Sequence, residues 1–421
     1  MNTTVHPSSL SGAVRVPPSK SLLHRGLFCA ALAGDLSLCE LPPEAELSDD
    51  IRATLDCLKK LLAGESEFFC GESGTTLRLL VPVAAARLGH ARFTAGPQLS
   101  KRPIADYRDA FAGRGVACGT SLPLETRGRL APGVFRVPGN VTSQYVSGLM
   151  LALPLLDGDS EILVTTRLES AAYVEMTRVV MRFFGVKAEG RRVDEGYCMV
   201  VPRAPKRPGR DTPYHIAKPF AAEADFSQAA FWHLAQFLGH AVAPENLPRS
   251  TSQGDSAFTS LLNALTRPAG PNARPGLPAW RETVRATRGA NNRCEIDVSQ
   301  IPDLVPPLAA AASSVDGETR LLNASRLRLK ESDRIASTCA MLKSLGVETR
   351  RDKASLTVLG RSGRTYAAGS VDSFGDHRIV MAAAMLATRA DGPVKILNSG
   401  AVKKSYPNFF EQFRQAGGVC E

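Results

Sequence analysis

Six stretches of the chain share one pattern of polar and apolar positions. They are Ser19–Ala33, Ser73–Ala86, Thr142–Leu155, Asp225–Leu238, Pro302–Ser314 and Asp376–Thr388. Each opens on small or polar residues and then runs through Ala and Leu without a polar face. A helix that is apolar nearly all round is buried on every side, so the pattern predicts six buried helices. Pro82 and the Pro306-Pro307 pair are expected to kink or delay two of them. A second pattern follows several of these stretches. Tyr107–Gly119, Val174–Glu189, Arg334–Thr349 and Phe409–Glu421 read as amphipathic helices, each running into Gly-Val. Glycine suits the left-handed helix stop, and the valine begins a strand. The chain thus alternates buried helix, strands, amphipathic helix and strands with a period of roughly 55–85 residues. Six units predict two domains of three units each.

Turn-rich pieces separate the units. Arg203–Phe220, rich in Pro and basic residues, is the expected crossover between halves, and Pro268–Asn292 reads as an exposed insertion. With 421 residues the chain can build full cores without staples. No apolar run reaches the ~18 residues of a membrane span, and the first residues lack the pattern of a secretory signal. Nine cysteines show no C-x-x-C spacing, which fits reduced thiols in the cytoplasm. The seven histidines show no metal-ligand spacing, so no metal is expected. Lys and Arg number 51 against 41 Asp and Glu, a formal charge of +10. The basic residues are scattered and aromatics are only 6%, which argues against nucleic acid and for small phosphorylated ligands.

The starts of the predicted helices carry the candidate chemistry. A helix N-terminus has unpaired N–H groups and about half a positive charge, a natural anion site. Lys20, Ser21 and Arg25 open the first buried helix, and Gly71–Thr76 the second. Thr142, Ser143 and Gln144 open the third, and Asp376, His377 and Arg378 the sixth. Capping accounts for Ser and Thr at such positions. Lys20 and Arg378 oppose the helix dipole and need a counter-ion, which a ligand phosphate or carboxylate would supply. Arg102, Lys330, Arg334 and Lys404 add to the basic set.

PPSKSLLHR, SGTTLR, KRPI, TSQ, IPD, KESDR, DHR and KSYPNFF stand in the order seen in the 5-enolpyruvylshikimate-3-phosphate synthase family, and from about Gly12 to Phe413 the chain resembles that family. The resemblance implies an α/β fold of two inside-out globular domains, each of three βαβαββ repeat units. Residues 1–17 with 221–421 would form one domain, on the phosphoenolpyruvate side with the catalytic Asp. Residues 18–220 would form the other, on the shikimate 3-phosphate side, with the active site in the cleft between them. The implied reaction transfers the enolpyruvyl group of phosphoenolpyruvate to the 5-hydroxyl of shikimate 3-phosphate through a tetrahedral ketal, releasing phosphate. The implied enzyme is a cytoplasmic monomer that acts on these two small molecules, needs no metal or organic cofactor, and has neither nucleic acid nor membrane as a partner.

Site roles follow from the same resemblance. Ser21 and Arg25 match the residues that hold the shikimate carboxylate, a fork-shaped guanidinium suiting a planar carboxylate. Thr142, Ser143 and Ser170 match the hydroxyls around the shikimate phosphate, with Lys330 nearby and Gln144 and Tyr173 as neighbours. Lys20, Gly74, Arg102, Gln144, Arg334, Arg378 and Lys404 match the phosphoenolpyruvate cage, and His377 is expected to hydrogen-bond an intermediate. Asp303 matches the residue that takes the attacking hydroxyl's proton and also contacts shikimate 3-phosphate; Glu331 matches the one beside the methylene carbon. Lys20 or Lys404 could also shuttle protons. The alternative for Glu331 is a salt bridge to Arg334, and for His377 packing or capping. Glu72 stands where many relatives have Asn, and is expected to face Arg102 or Lys101. Arg326 replaces an Asn and is expected to add charge to the substrate site. The alternatives to the whole reading are a UDP-N-acetylglucosamine enolpyruvyl transferase, whose loop cysteine is missing beside Arg102, and a basic nucleic-acid-binding scaffold.

Overall fold

A computed structural model describes residues 1–193, 196–205, 211–266, 286–289 and 292–421. The chain forms two compact units, Pro18–Glu223 and Met1–Pro17 with Ala224–Glu421. Each buried helix is followed by one that buries a single face. In Pro18–Glu223 the pairs are α1 (Lys20–Leu32) with α2 (Asp49–Leu62), α3 (Gly74–Arg87) with α4 (Asp106–Ala110), and α5 (Gln144–Ala152) with α6 (Ala171–Phe183). In the other unit they are α7 (Phe226–Phe237) with α8 (Phe258–Thr266), α9 (Val305–Ser313) with α10 (Arg334–Ser344), and α11 (His377–Ala387) with α12 (Phe409–Gln415). Every residue of α9 and α11 is buried, as an all-apolar pattern requires.

The strands repeat one topology. β1 (Thr3–His6) and β2 (Ser11–Arg15) open the chain. β3 (Glu67–Phe69), β4 (His90–Thr94), β5 (Val116–Cys118) and β6 (Leu124–Gly128) form a sheet in the order β3-β4-β6-β5, with β3 parallel to β4 and the other pairs antiparallel. β7 (Val134–Val137), β8 (Ser160–Val164), β9 (Glu189–Val193) and β10 (Gly196–Val201) repeat it as β7-β8-β10-β9. Further along are β11 (Ala241–Glu245), β12 (Ala286–Arg288), β13 (Arg293–Asp297), β14 (Gly317–Leu322), β15 (Thr349–Arg351) and β16 (Leu356–Gly360). There the order is β13-β14-β16-β15, with β12 on the edge. β17 (Gly369–Asp372), β18 (Val394–Leu397) and β19 (Val419–Cys420) give β17-β18-β1-β19, so the first strand of the chain completes the last repeat. The parallel pair β2–β11 and the parallel bridge Cys39–Phe220 begin the two remaining repeats, each joining distant parts of the chain.

The glycine stops behave as the pattern predicts. Gly115, Gly185, Gly346 and Gly417 have φ of +79°, +76°, +78° and +96°. The helix expected over Tyr107–Gly119 is shorter, because Gly113 joins Gly115 in the left-handed region and turns the chain soon after Ala110. Pro82 does not break α3. Its missing N–H leaves the Arg78 carbonyl without a helical partner, and the Tyr107 hydroxyl donates to that carbonyl instead. A Cβ at position 148 of α5 would lie 2.4 Å from the same carbonyl oxygen, so Gly148 permits the close packing of α5 on α3. Pro306 and Pro307 sit in the first turn of α9, where no intrahelical N–H bond is lost.

The expected insertion Pro268–Asn292 lies outside the described residues except at 286–289 and 292, as do 206–210 of the expected crossover. All nine cysteines are free thiols. Among the described residues no helix is long and apolar enough to cross a membrane, and no cluster of His, Cys, Asp and Glu is placed to hold a metal.

Candidate active site

In Pro18–Glu223 the candidate residues gather at the starts of α1, α3 and α5. Lys20, the first residue of α1, places Nζ 2.6 Å from Asp50 Oδ2 in the first turn of α2. One turn on, the Arg25 side chain is buried. It donates to Thr177 Oγ1 at 2.7 Å, the Ser21 carbonyl at 2.7 Å, the Tyr173 carbonyl at 2.9 Å and Ser147 Oγ at 3.4 Å. Its guanidinium carbon lies 5.9 Å from the Tyr173 ring centre. All these partners are neutral. Burial pushes the Arg25 pKa down to about 10, and no carboxylate among the described residues pairs with it.

The start of α3 is built the same way. Ser73 Oγ accepts the Thr76 N–H and caps the helix. A Cβ on Gly74 would lie 2.8 Å from both Arg102 Nη1 and Arg78 Nη1, so two guanidinium groups crowd this backbone. Arg78 is buried within α3 and donates to Gln144 Oε1 at 2.9 Å and to the Pro103 carbonyl at 2.8 Å. Gln144 Nε2 donates to Thr75 Oγ1 at 2.9 Å, which fixes the orientation of its amide. Thr142 Oγ1 accepts the Gln144 N–H. Ser143 and Ser170 are buried, and Ser170 starts α6 in the left-handed region at φ +54°. Glu72 forms no ion pair with Arg102 or Lys101. It accepts the backbone N–H groups of Gln98 and Leu99 instead, which corrects the expected contact.

The other unit joins its candidates through ion pairs. Asp303, in the short turn before α9, accepts from Arg334 Nη1 at 2.8 Å and Arg378 Nη2 at 2.9 Å. Lys330 Nζ lies 3.5 Å away. Arg334 also reaches Glu331 Oε2 at 2.6 Å and Asp376 Oδ2 at 2.9 Å. Asp376 caps α11 by accepting the Arg378 N–H, and His377 is buried beside it with Nδ1 3.9 Å from Asp376 Oδ1. Burial by itself would raise the Asp303 carboxyl, but Arg378, Lys330 and Arg334 together hold it well below the usual carboxylate range. Burial pushes Lys330 down to about 8 against the pull of Asp303, and buried Arg326, which donates to the Ser299 carbonyl, pushes the same way. Lys404 is half-buried and Lys403 exposed, at the end of the turn Ser399–Lys404 that packs on α11.

Lys20 and Arg378 therefore have counter-ions in the protein, Asp50 and Asp303, rather than needing a ligand to supply them. Asp50 and Asp255 carry no mark in the sequence that separates them from ordinary helix-start acids. Arg78 does, as the one charge inside the apolar stretch Ser73–Ala86. Asp255 sits in the turn Gly254–Ala257, buried, with Ser227 Oγ donating to Oδ2. Its Oδ1 has no hydrogen-bond partner among the described residues, and burial with the charge of Asp303 pushes its pKa up to about 7.

Repeated βαβαββ units with cations and carboxylates at buried helix starts define an enolpyruvyl transferase fold. The EPSP synthase of Acinetobacter baumannii superposes with a TM-score of 0.72 at 21% identity, covering 100% of this chain and 99% of that one. The enolpyruvyl transferase NikO of Streptomyces tendae superposes with a TM-score of 0.71 at 17% identity, covering 100% and 98%. The sequence pattern of EPSP synthase (3-phosphoshikimate 1-carboxyvinyltransferase) matches residues 5–413, and the chain belongs to that family. It is 34% identical to the 3-phosphoshikimate 1-carboxyvinyltransferase of Clostridium novyi, over 100% of this chain and 98% of that protein. It is 36% identical to that of Clostridium kluyveri, over 99% and 98%.

Proposed function

We propose that this chain transfers the enolpyruvyl group of phosphoenolpyruvate to the 5-hydroxyl of shikimate 3-phosphate and releases phosphate, a reading that membership of the 3-phosphoshikimate 1-carboxyvinyltransferase family supports. The observation that carries the reading is the buried guanidinium of Arg25, held by neutral groups alone beside Ser21. Such a group awaits an anion, and a planar carboxylate fits its fork. Ser21 and Arg25 take the carboxylate of shikimate 3-phosphate. Thr142, Ser143, Ser170 and Lys330 take its phosphate, and Gln144 and Tyr173 line it. Lys20, Gly74, Arg102, Gln144, Arg334, Arg378 and Lys404 take phosphoenolpyruvate, with His377 beside the intermediate. Each unit supplies part of both sets.

Protonation of the methylene carbon makes C2 of phosphoenolpyruvate electrophilic. The 5-hydroxyl oxygen bonds to C2 as its proton passes to Asp303, giving a tetrahedral ketal. Loss of phosphate and of a methyl proton restores the double bond. Glu331 serves that carbon, a role that its match to the family's motif supports. The cations around Asp303 keep it a weak base. Substrate anions compete for those same cations, and each one drawn away raises the basicity of Asp303. No step calls for a metal or organic cofactor. The nine free thiols favour a reducing cytoplasm, and the reading is of a monomer.

The test is phosphate release from phosphoenolpyruvate with each acceptor in turn. Shikimate 3-phosphate should support turnover and UDP-N-acetylglucosamine should not. The opposite result overturns the reading. Binding that ignores both and weakens steeply with salt would point to nucleic acid.

A further inference from the structure

We propose that Glu72 is a positioning residue for Arg102, acting through the backbone of the loop that carries it. This rests on the reading of Arg102 as a phosphoenolpyruvate contact.

The Glu72 carboxylate spans two loops. It projects from the β3–α3 loop and accepts the N–H of Leu99 at 2.7 Å and of Gln98 at 3.2 Å in the β4–α4 loop. Both bonds are charge-assisted, so they are stronger than the neutral bonds that usually tie loops together. The space for the carboxylate is made by Gly96. A Cβ there would lie 2.2 Å from Glu72 Oε1, and the Gly96 N–H donates to the Gly71 carbonyl at 2.8 Å. Three residues past Leu99, the Arg102 N–H donates back to the Leu99 carbonyl at 3.0 Å. On its far side the Pro103 carbonyl accepts from Arg78 Nη2 at 2.8 Å and from the Tyr145 hydroxyl at 3.0 Å. The backbone is thus pinned on both sides of Arg102, and its guanidinium lies against Gly74.

The placement also explains how a carboxylate is tolerated beside an anion site. Its charge is spent on two backbone N–H groups of the neighbouring loop. It orders a cation without neutralising it. A direct salt bridge to Arg102 would do the reverse and compete with phosphoenolpyruvate.

The experiment compares wild type with Glu72→Ala, Glu72→Gln, Gly96→Ala and the double variant Glu72→Ala/Gly96→Ala. The KM for phosphoenolpyruvate should rise about tenfold in Glu72→Ala, with the KM for shikimate 3-phosphate changing less than about twofold. Glu72→Gln keeps one acceptor oxygen and should recover part of the loss. Gly96→Ala should match Glu72→Ala, because the added methyl displaces the carboxylate. The double variant should be no worse than Glu72→Ala alone. Equal rises in both KM values, or additive losses in the double variant, would overturn the proposal. Amide exchange without substrates separates this outcome from failure of the functional reading. Glu72→Ala should speed exchange at Gln98 and Leu99 about tenfold, whatever the enzyme turns over. Unchanged exchange at both amides sinks the clamp even if the enzyme is active as proposed.

Discussion

The two units hold their buried arginines in opposite ways. In Pro18–Glu223, Arg25 and Arg78 rest on hydroxyls, carbonyls, an amide and aromatic faces, with no carboxylate among their described partners. In the other unit, Arg334 and Arg378 are bound to Asp303, Glu331 and Asp376. A guanidinium solvated by neutral dipoles keeps its net charge, so an arriving anion displaces nothing negative. One already paired with carboxylates is close to neutral as a cluster, and an arriving anion must compete with them. The first arrangement suits recognition. The second suits proton traffic, because every cation withdrawn changes the basicity of a carboxylate.

The largest effect should come at the carboxylate that three cations share. Asp303→Asn keeps the side-chain shape and should lower kcat about a thousandfold, with less than about a tenfold change in either KM. Steady-state kinetics decide it, and near-normal kcat would remove Asp303 from the chemistry. The next pair sets the two arginine environments against each other. Arg334→Met takes the guanidinium from fully buried Asp376 and should cost about 3–5 kcal/mol of unfolding free energy. Arg25→Met strands no carboxylate, so its stability loss should be under about 1 kcal/mol. It should instead raise the KM for shikimate 3-phosphate about a hundredfold. Similar stability losses in the two variants would show that the contrast between units has no energetic content.

The repeat was legible because buried helices have no polar face to hide the pattern. Four amphipathic helices were legible by the Gly-Val that follows them. α2 ends in Ala63-Gly64-Glu65 and α8 runs out at Thr266, so neither carries that mark. The strand pairs β2–β11 and Cys39–Phe220 join residues about 180–230 apart, beyond any local periodicity. The cations of the candidate site were legible as charges at buried helix starts. Their partners were not: Asp50 lies 30 residues from Lys20, and Asp303 lies 75 from Arg378. Nothing in either spacing announces the pair. Glu72 was visible as a departure, but its backbone partners depend on a loop conformation that side-chain patterns do not encode.

The smallest effect is the dependence of stability on pH, and it too separates the units. Asp255 titrates near 7 in the fold against about 3.9 when unfolded, with burial the main cause and Asp303 the second. Its folded pKa is raised, so its contribution to stability is full below about 3.9 and is lost as pH rises through 7. Between pH 6 and 8 the native carboxyl gives up about one proton that the unfolded chain does not hold. Asp255 alone should cost its unit about 1.4 kcal/mol over that interval. His240 acts in the other direction at lower pH. Its Nδ1 accepts the Leu10 N–H and its Nε2 meets Thr388 Oγ1, and burial followed by Arg389 pushes it down to about 4. It costs stability as pH falls through about 6.5 toward 4, so between pH 6 and 8 it returns about 0.8 kcal/mol against the loss from Asp255. Buried His24 in Pro18–Glu223 is likewise pushed down, first by burial and then by Lys20 and Arg25, and acts in the same direction as His240. Trp232 is buried in α7 of Ala224–Glu421, so its fluorescence follows that unit through a urea titration. Between pH 6 and 8 the wild-type midpoint should fall relative to that of Asp255→Asn, which should rise slightly as the lowered histidines predict. A parallel fall in both would mean that Asp255 is ionised throughout and that some other group in the unit sets its response to alkali.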